Sequence, residues 1–382
     1  MTWPPDKGPL PRSLVPLESE SLFGLLLRLA YRLDESPLRV ARRTGAIRPP
    51  GSRGTYAAAT KLLLRLDPPQ LQTFARSTRI TTEQAENLTL LPLSILYPPL
   101  ADALTRRARP PWLRFDSTRY CPACLAGNGS PIQNRYGGAW RLHWHLPFVF
   151  ACLEHHTYLR DSCPACVVPP MRLTPGSGAI IPAQGTVGLH PAQCRAATPL
   201  AEKRICGARL DKPHDYPAQP FPDLTPDIAA IQQELLDLLQ SPDPAHARTR
   251  FTDLSVLTTV IAAAWPRHPH LPGREELLDA FHAHHDKDLM LTEGREPQIK
   301  GPPRMDTSWR NLPRPAPAAA ALLAMATYCQ RLPAQDLTDH LIELIAHALD
   351  PAHARWGRLW NSRDLEHCSA PLRQQLQHAV TW

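Results

Sequence analysis

Residues 119–125 read Arg119-Tyr120-Cys121-Pro122-Ala123-Cys124-Leu125, and the same turn recurs as Cys163-Pro164-Ala165-Cys166. Between them stands Cys152-Leu153-Glu154-His155, and beyond them Cys194 and Cys206-Gly207. A CxxC or CxxH turn holds two ligand atoms on one side of a tight knuckle, where both reach one Zn²⁺ at about 2.0–2.3 Å. Two such turns complete a tetrahedron. Cys121, Cys124, Cys152 and His155 form the first expected set. His156 competes with His155, but the CxxH spacing favours His155. Cys163, Cys166 and Cys206 belong to a second set, with Cys194 or His190 as the fourth ligand and Cys194 preferred. Four protein ligands leave no position for water or substrate, so two structural Zn²⁺ ions are the expected cofactors, supplying folding energy and no chemistry. Cys329 and Cys368 stand alone on helical patterns and read as core residues.

The alternative for a CxxC turn is redox chemistry, but such a motif is single and opens a helix after a strand. Compartment favours metal. Met1-Thr2-Trp3-Pro4-Pro5 has neither the charged start nor the apolar stretch of a signal peptide. No apolar run approaches the ~20 residues that span a bilayer. The expected location is therefore the cytoplasm, where clustered cysteines bind metal rather than pair.

Moving outward from the cysteines, proline dominates the composition: 44 of 382 residues, about twice the usual ~5%. Frequent proline breaks helices and lengthens connections. The expected fold is mainly α, with short helices and no large sheet. The net charge of +7 is uneven. Residues 1–120 hold 18 Lys and Arg against 10 Asp and Glu, and the remainder holds 24 against 25. The basic excess is nearly all arginine, whose planar fork suits phosphate contacts.

Three domains are expected: 1–115, an N-terminal helical domain; 116–212, a double zinc-finger region; and 213–382, a C-terminal all-helical domain. In the first, Leu22, Leu25, Leu26, Leu29 and Leu33 recur at helical steps after Ser19 and Ser21, an amphipathic stripe. Ser36-Pro37 starts a second short helix, Leu38 to Thr44, closed by Gly45. Two short helices joined by a tight turn give the outline of a helix-turn-helix. Arg39, Arg42 and Arg43, with Arg48 and Arg53 just beyond, are the candidate contacts to DNA or to a partner. Further helix is expected over 56–66 and 82–88, and Arg106–Pro111 reads as a linker. In the last domain, helices are expected to begin at Thr225-Pro226 and to run near 253–265, 275–285, 318–332 and 335–349.

Arg135, Tyr136, Trp140, Arg141, His143, Trp144 and His145 lie between the knuckles. Interleaved basic and aromatic residues can stack on bases; the preferred reading is that Trp140 and Trp144 cover the core beside the metals. Catalytic signatures are missing: no GxxxxGK[ST], GxSxG or HExxH, and no carboxylate cluster for a two-metal site. A zinc hydrolase built on His143 and His145 is the enzyme alternative, and the expectation is a protein that is not an enzyme.

The order of these parts resembles the TniQ family of transposon target-selection proteins, including CRISPR-associated ones. Pro16-Leu-Glu-Ser-Glu-Ser-Leu22 followed by Leu-Arg-Leu-Ala30 is similar to the family's opening helix. Thr89-Leu90, Arg119–Ala126, Trp140-Arg141-Leu142, Cys152–His155, Leu159, Cys163–Cys166 and Cys206–Leu210 follow in register. Two departures stand out: Leu153 follows Cys152 where the family often has proline, and the last knuckle is stretched between Cys194 and Cys206. The resemblance covers about residues 12–212. It implies a bacterial, nucleoid-associated adaptor that links a DNA-targeting module, either a CRISPR RNA-guided effector complex or attachment-site DNA, to an AAA+ ATPase that recruits the transposase. A homodimer is compatible with it. The alternative is a stand-alone sequence-specific DNA-binding protein that reads a fixed attachment site.

Overall fold

Ser21 accepts a hydrogen bond from the Gly24 N–H (3.1 Å) and so starts α1, Leu22–Leu33. Asp34, in the left-handed region at φ 54°, closes it with its N–H on the carbonyl of Ala30. The computed structural model describes residues 8–47, 62–106, 112–114, 118–171, 187–197, 205–212, 215, 222–267, 275–293, 311–349 and 362–380. Its described residues are mainly helical, and its contacts fall into two compact units. One comprises Met1–Ser94, Arg114–Leu146 and Leu159–Pro220, and the other Ile95–Leu113, Pro147–Tyr158 and Phe221–Trp382.

In the first unit α1 departs from the amphipathic expectation: every residue from Leu22 to Ala30 is buried. Gly24 explains one side. A Cβ built there would stand 2.9 Å from the Trp140 Cβ, so only glycine admits the Trp140 backbone against the helix. Ser21 N–H donates to the Trp140 carbonyl (2.8 Å) and Leu142 N–H to that of Ser19 (2.8 Å), which ties the start of α1 to segment 140–142. Arg28, on the same buried helix, pairs with Glu20. Ser36 then caps α2, Pro37–Arg43, accepting from Arg39 N–H at 3.2 Å. The pair α1–α2 packs as a helical hairpin.

The expected helix over 56–66 is helical at 62–64, and residues 56–61 lie outside the described ones. Two helices unread in the sequence follow: α3, Pro68–Thr78, and, in the second unit, α5, Pro98–Arg106, on either side of α4, Thr82–Glu86. Both open on a Pro-Pro pair, which fits a first helical turn because its N–H groups have no intrahelical partner.

The second unit gathers the C-terminal helices. These are α8, Pro226–Leu238; α9, Pro244–Ala264; α10, Glu275–Glu293; α11, Ala316–Arg331; α12, Ala334–Leu349; α13, Ser362–His367; and α14, Ala370–Val380. α9 packs against α11 and α12, and α12 against α14. Alanine makes this close: Ala318–Ala321 on α11 are fully buried, their small side chains letting backbones approach. Tyr97, Phe148 and Phe251 form an aromatic triangle with centroids 4.9–5.2 Å apart, and the Tyr97 hydroxyl donates to the Trp112 carbonyl (2.7 Å).

Candidate metal centres

Cys121 precedes α6, Pro122–Ala126, whose single turn carries Cys124 back toward it. Pro122 at the first helical position fixes the turn. Leu125 N–H bonds to the Cys121 carbonyl (3.1 Å), and Gly138 N–H to that of Leu125 (2.9 Å). The chain enters from a bridge in which Tyr120 and Arg160 exchange two N–H···O bonds of 2.8 Å, so the residues leading into Cys121 and Cys163 are paired. Cys152 ends β1, Ala151–Cys152, which pairs antiparallel with β2, Thr157–Tyr158. The turn between them brings Cys152 Sγ to 3.4 Å from His155 Nδ1. The ligand atoms of Cys121, Cys124, Cys152 and His155 all lie within 4.8 Å of one another. The three cysteines are buried and His155 is exposed.

The second group is Cys163, Cys166, Cys194 and Cys206, again within 4.8 Å. Val167 N–H returns to the Cys163 carbonyl (2.9 Å) with Val167 at φ 58°, which closes the first turn. The other half is a narrow ladder: Cys194 N–H to Ala208 O at 2.8 Å, Cys206 N–H to Ala196 O at 2.9 Å, and Gly207 N–H to Cys194 O at 3.0 Å. Gly207 sits at φ 70°, a conformation that costs an L-residue strain and glycine none. The ladder is why Cys194 and Cys206, distant in sequence, share a site. Residues 172–186 and 198–204, between the ligands, lie outside the described ones.

These distances fit a tetrahedral metal. Four sulfurs at about 2.3 Å from one Zn²⁺ stand about 3.8 Å apart along each edge. Cys163 Sγ–Cys206 Sγ and Cys166 Sγ–Cys194 Sγ are both 3.8 Å. A sulfur at about 2.3 Å and a nitrogen at about 2.0 Å stand about 3.5 Å apart, and the Cys152–His155 contact is 3.4 Å. Electrostatics agree. Hydrogen bonds from Cys166 and Cys194 hold the Cys163 thiol well below its ordinary range, while the thiols of Cys166 and Cys194 are pushed up. Cysteine binds a metal as the thiolate, so a divalent cation at this group would favour ionised sulfurs.

Arg195 adds a buried positive charge beside the second group. Its Nη1 donates to the carbonyls of Pro191 (3.2 Å) and Gln193 (2.8 Å), and its Nη2 to those of Leu189 (3.1 Å) and His190 (3.2 Å). Burial lowers its pKa to about 10 and the neighbouring Cys194 opposes that. No sequence pattern marks this cage, because its acceptors are all backbone.

His190 belongs to neither group. Its Nδ1 accepts from Ala192 N–H (3.2 Å), and its ring packs on Tyr31 at 5.2 Å. His143 and His145 also stand outside both groups. His145 is buried, neither ring nitrogen has a partner among the described residues, and burial pushes its pKa down to about 3. Trp140 and Trp144 are buried with ring centroids 6.4 Å apart. Cys329 and Cys368 are buried in the second unit.

The basic candidates are placed as follows. Arg39 is exposed, 3.7 Å from Glu35; Arg43 is 3.1 Å from the same carboxylate. Arg42 is half-buried. Arg48 and Arg53 lie outside the described residues. Among the described residues no helix is long and apolar enough to cross a membrane.

Compared with known proteins, residues 11–159 match the family model described as TniQ. The match runs from before α1 to the end of β2, contains the whole first ligand group, and stops before Cys163. No curated protein matches the chain.

Proposed function

The chain belongs to the TniQ family, and from that premise we propose that it is a target-selection adaptor of a transposon. TniQ membership implies a part in transposon target selection, within a transposition complex. The finer reading is that the chain joins a DNA-targeting module to an AAA+ ATPase, which recruits the transposase. The targeting module is a CRISPR RNA-guided complex or attachment-site DNA. The observation that carries this reading is the family match over 11–159.

The metal geometry supports a scaffold role. Two groups of four ligand atoms, each group within 4.8 Å, suit two Zn²⁺ ions that act by closing loops. Neither group offers an open position for substrate, which supports a protein that binds and positions rather than catalyses. The helical hairpin α1–α2 is read as the helix-turn-helix of the targeting face, with Arg39, Arg42 and Arg43 on it.

The test is co-assembly of the purified chain with the AAA+ ATPase encoded beside it, on duplex DNA and with each nucleotide state. A stable, nucleotide-dependent ternary assembly is expected. Failure to bind that ATPase in every nucleotide state, with the chain folded and its metal content intact, would refute the adaptor reading.

A further inference from the structure

Four residues from two separated segments meet at one place in the first unit: Tyr31 and Arg32 in the last turn of α1, and Arg135 and Tyr136 at the end of α7, Pro131–Tyr136. The Arg32 guanidinium carbon lies over the Tyr136 ring at 5.2 Å from its centroid, and that of Arg135 lies over the same ring at 5.5 Å. Tyr31 meets Tyr136 edge to face at 6.3 Å. The second ligand group's flank closes the cluster. His190 packs on Tyr31 at 5.2 Å, and a Cβ on Gly137 would stand 3.2 Å from His190 Cε1. Gly137 has φ 79°, so the close approach and the turn both call for glycine.

The two arginines are held in an unusual way. Among the described residues neither has a carboxylate partner, and the Arg32 Nε, a buried atom, has no hydrogen-bond partner. They are positioned by the aromatic face, which attracts the cation without using its N–H donors. Arg209 differs, since its Nε is already on Asp211 at 2.7 Å, and it stiffens the flank rather than offering a fork. Exposed Lys212 lies on the same flank. The Nη donors of these two pre-positioned guanidinium groups remain for an anion, which is the chemistry of phosphate recognition. Guanidinium groups already cover the Tyr136 ring, so the patch presents charge rather than a bare platform for unpaired bases.

We infer that Arg32 and Arg135, stacked on Tyr136, form a contact site for the phosphodiester backbone of duplex DNA. The site is separate from the face of α2. It rests on the reading of the chain as a target-selection protein, because that reading makes duplex DNA the nucleic acid to be held. The contact is independent of sequence, as backbone contacts are.

The test uses the full chain, its metals bound, and a fluorescent 30-base-pair duplex, with affinity measured by anisotropy across a salt series. Arg32→Glu with Arg135→Glu is expected to weaken binding about ten-fold or more, and to lower the slope of log K against log[salt] by about 2, one phosphate per arginine. Arg135 is exposed, so Arg135→Glu alone gives a folded variant with about half that change in slope. Tyr136→Leu keeps the charge and loses the ring, and is expected to weaken binding several-fold. The matched reversal Arg12→Glu with Arg79→Glu, both exposed and outside α2 and the site, controls for net charge and is expected to do less. Unchanged affinity and slope in the Arg32/Arg135 pair overturns the site. So does an equal loss in the Arg12/Arg79 pair, absence of any duplex binding by the wild type, or tighter binding of an RNA duplex through the same residues. Recruitment of the AAA+ ATPase, measured separately, fails or survives independently, which distinguishes loss of this site from loss of the adaptor reading.

Discussion

Arg28 Nη1 lies 2.8 Å from Glu20 Oε2, with both side chains almost wholly buried beside the start of α1. Glu20 also accepts from Leu17 N–H at 2.9 Å, so one carboxylate fixes the strap before α1 to the helix itself. Removing one partner strands a buried charge, which typically costs about 3–5 kcal/mol. Arg28→Met is therefore expected to lower stability by about that much in urea unfolding, and Glu20→Gln by less, since the amide oxygen still accepts from Leu17.

The same pair sets a pH dependence. Burial outweighs the attraction of Arg28 and raises the Glu20 pKa to about 7, above its unfolded value of 4.5. Between these values the folded state holds more protons than the unfolded state. The Glu20 contribution therefore makes stability fall as pH rises from about 4.5 to 7. Glu20→Gln removes that contribution. The wild-type-minus-variant difference in unfolding free energy is expected to decrease between pH 5 and pH 7.5, and a difference flat in pH would refute the assignment.

Gln232 of α8 anchors the hairpin that carries Cys152 and His155. Its Oε1 accepts from the N–H groups of Phe150 (2.6 Å) and Ala151 (3.0 Å), and the side chain is buried. Gln232→Leu leaves two buried donors unmet at about 1–3 kcal/mol each. Thermal unfolding is expected to shift down, with faster proteolysis within 147–158. The exposed neighbour Gln233→Leu is expected to stay within about 0.5 kcal/mol of wild type.

Metal content separates the ligand alternatives. Elemental analysis is expected to give two Zn²⁺ per chain in the wild type and in His190→Ala, and one in Cys194→Ala. A loss of zinc from His190→Ala, with Cys194→Ala unaffected, would reverse the assignment of the fourth ligand.

Gly138 is a more local test. A Cβ there would fall 1.9 Å from the Cys124 carbonyl oxygen, a backbone atom held in the knuckle turn. Gly138→Ala is expected to displace Cys124 and release the first Zn²⁺ to a chelator at a concentration that spares the second. Unaltered zinc retention in that variant would mean that the knuckle tolerates a shift of this size.

The features that depend on local chemistry are legible in the sequence. CPAC and CLEH turns place paired ligands on one side of the chain whatever surrounds them, and Ser21, Ser36 and Pro37 start helices through groups within three residues. The stripe of leucines announced α1 but not its burial on every side, because that depends on Gly24 meeting Trp140 from a segment more than 100 residues away. The helices α3 and α5 open on Pro-Pro pairs, and proline, which breaks a helix elsewhere, fits a first turn. That Cys194 and not His190 stands with Cys163, Cys166 and Cys206 follows from long-range contacts, since a backbone ladder brings Cys194 there while His190 turns its Nδ1 to Ala192. Tertiary structure likewise decided that Arg195 is held by four carbonyls, that Gln232 holds the hairpin, and that Arg32 and Arg135 share one ring. Each of these is a long-range meeting of side chain with backbone or ring, and such meetings leave no periodicity or spacing in the sequence.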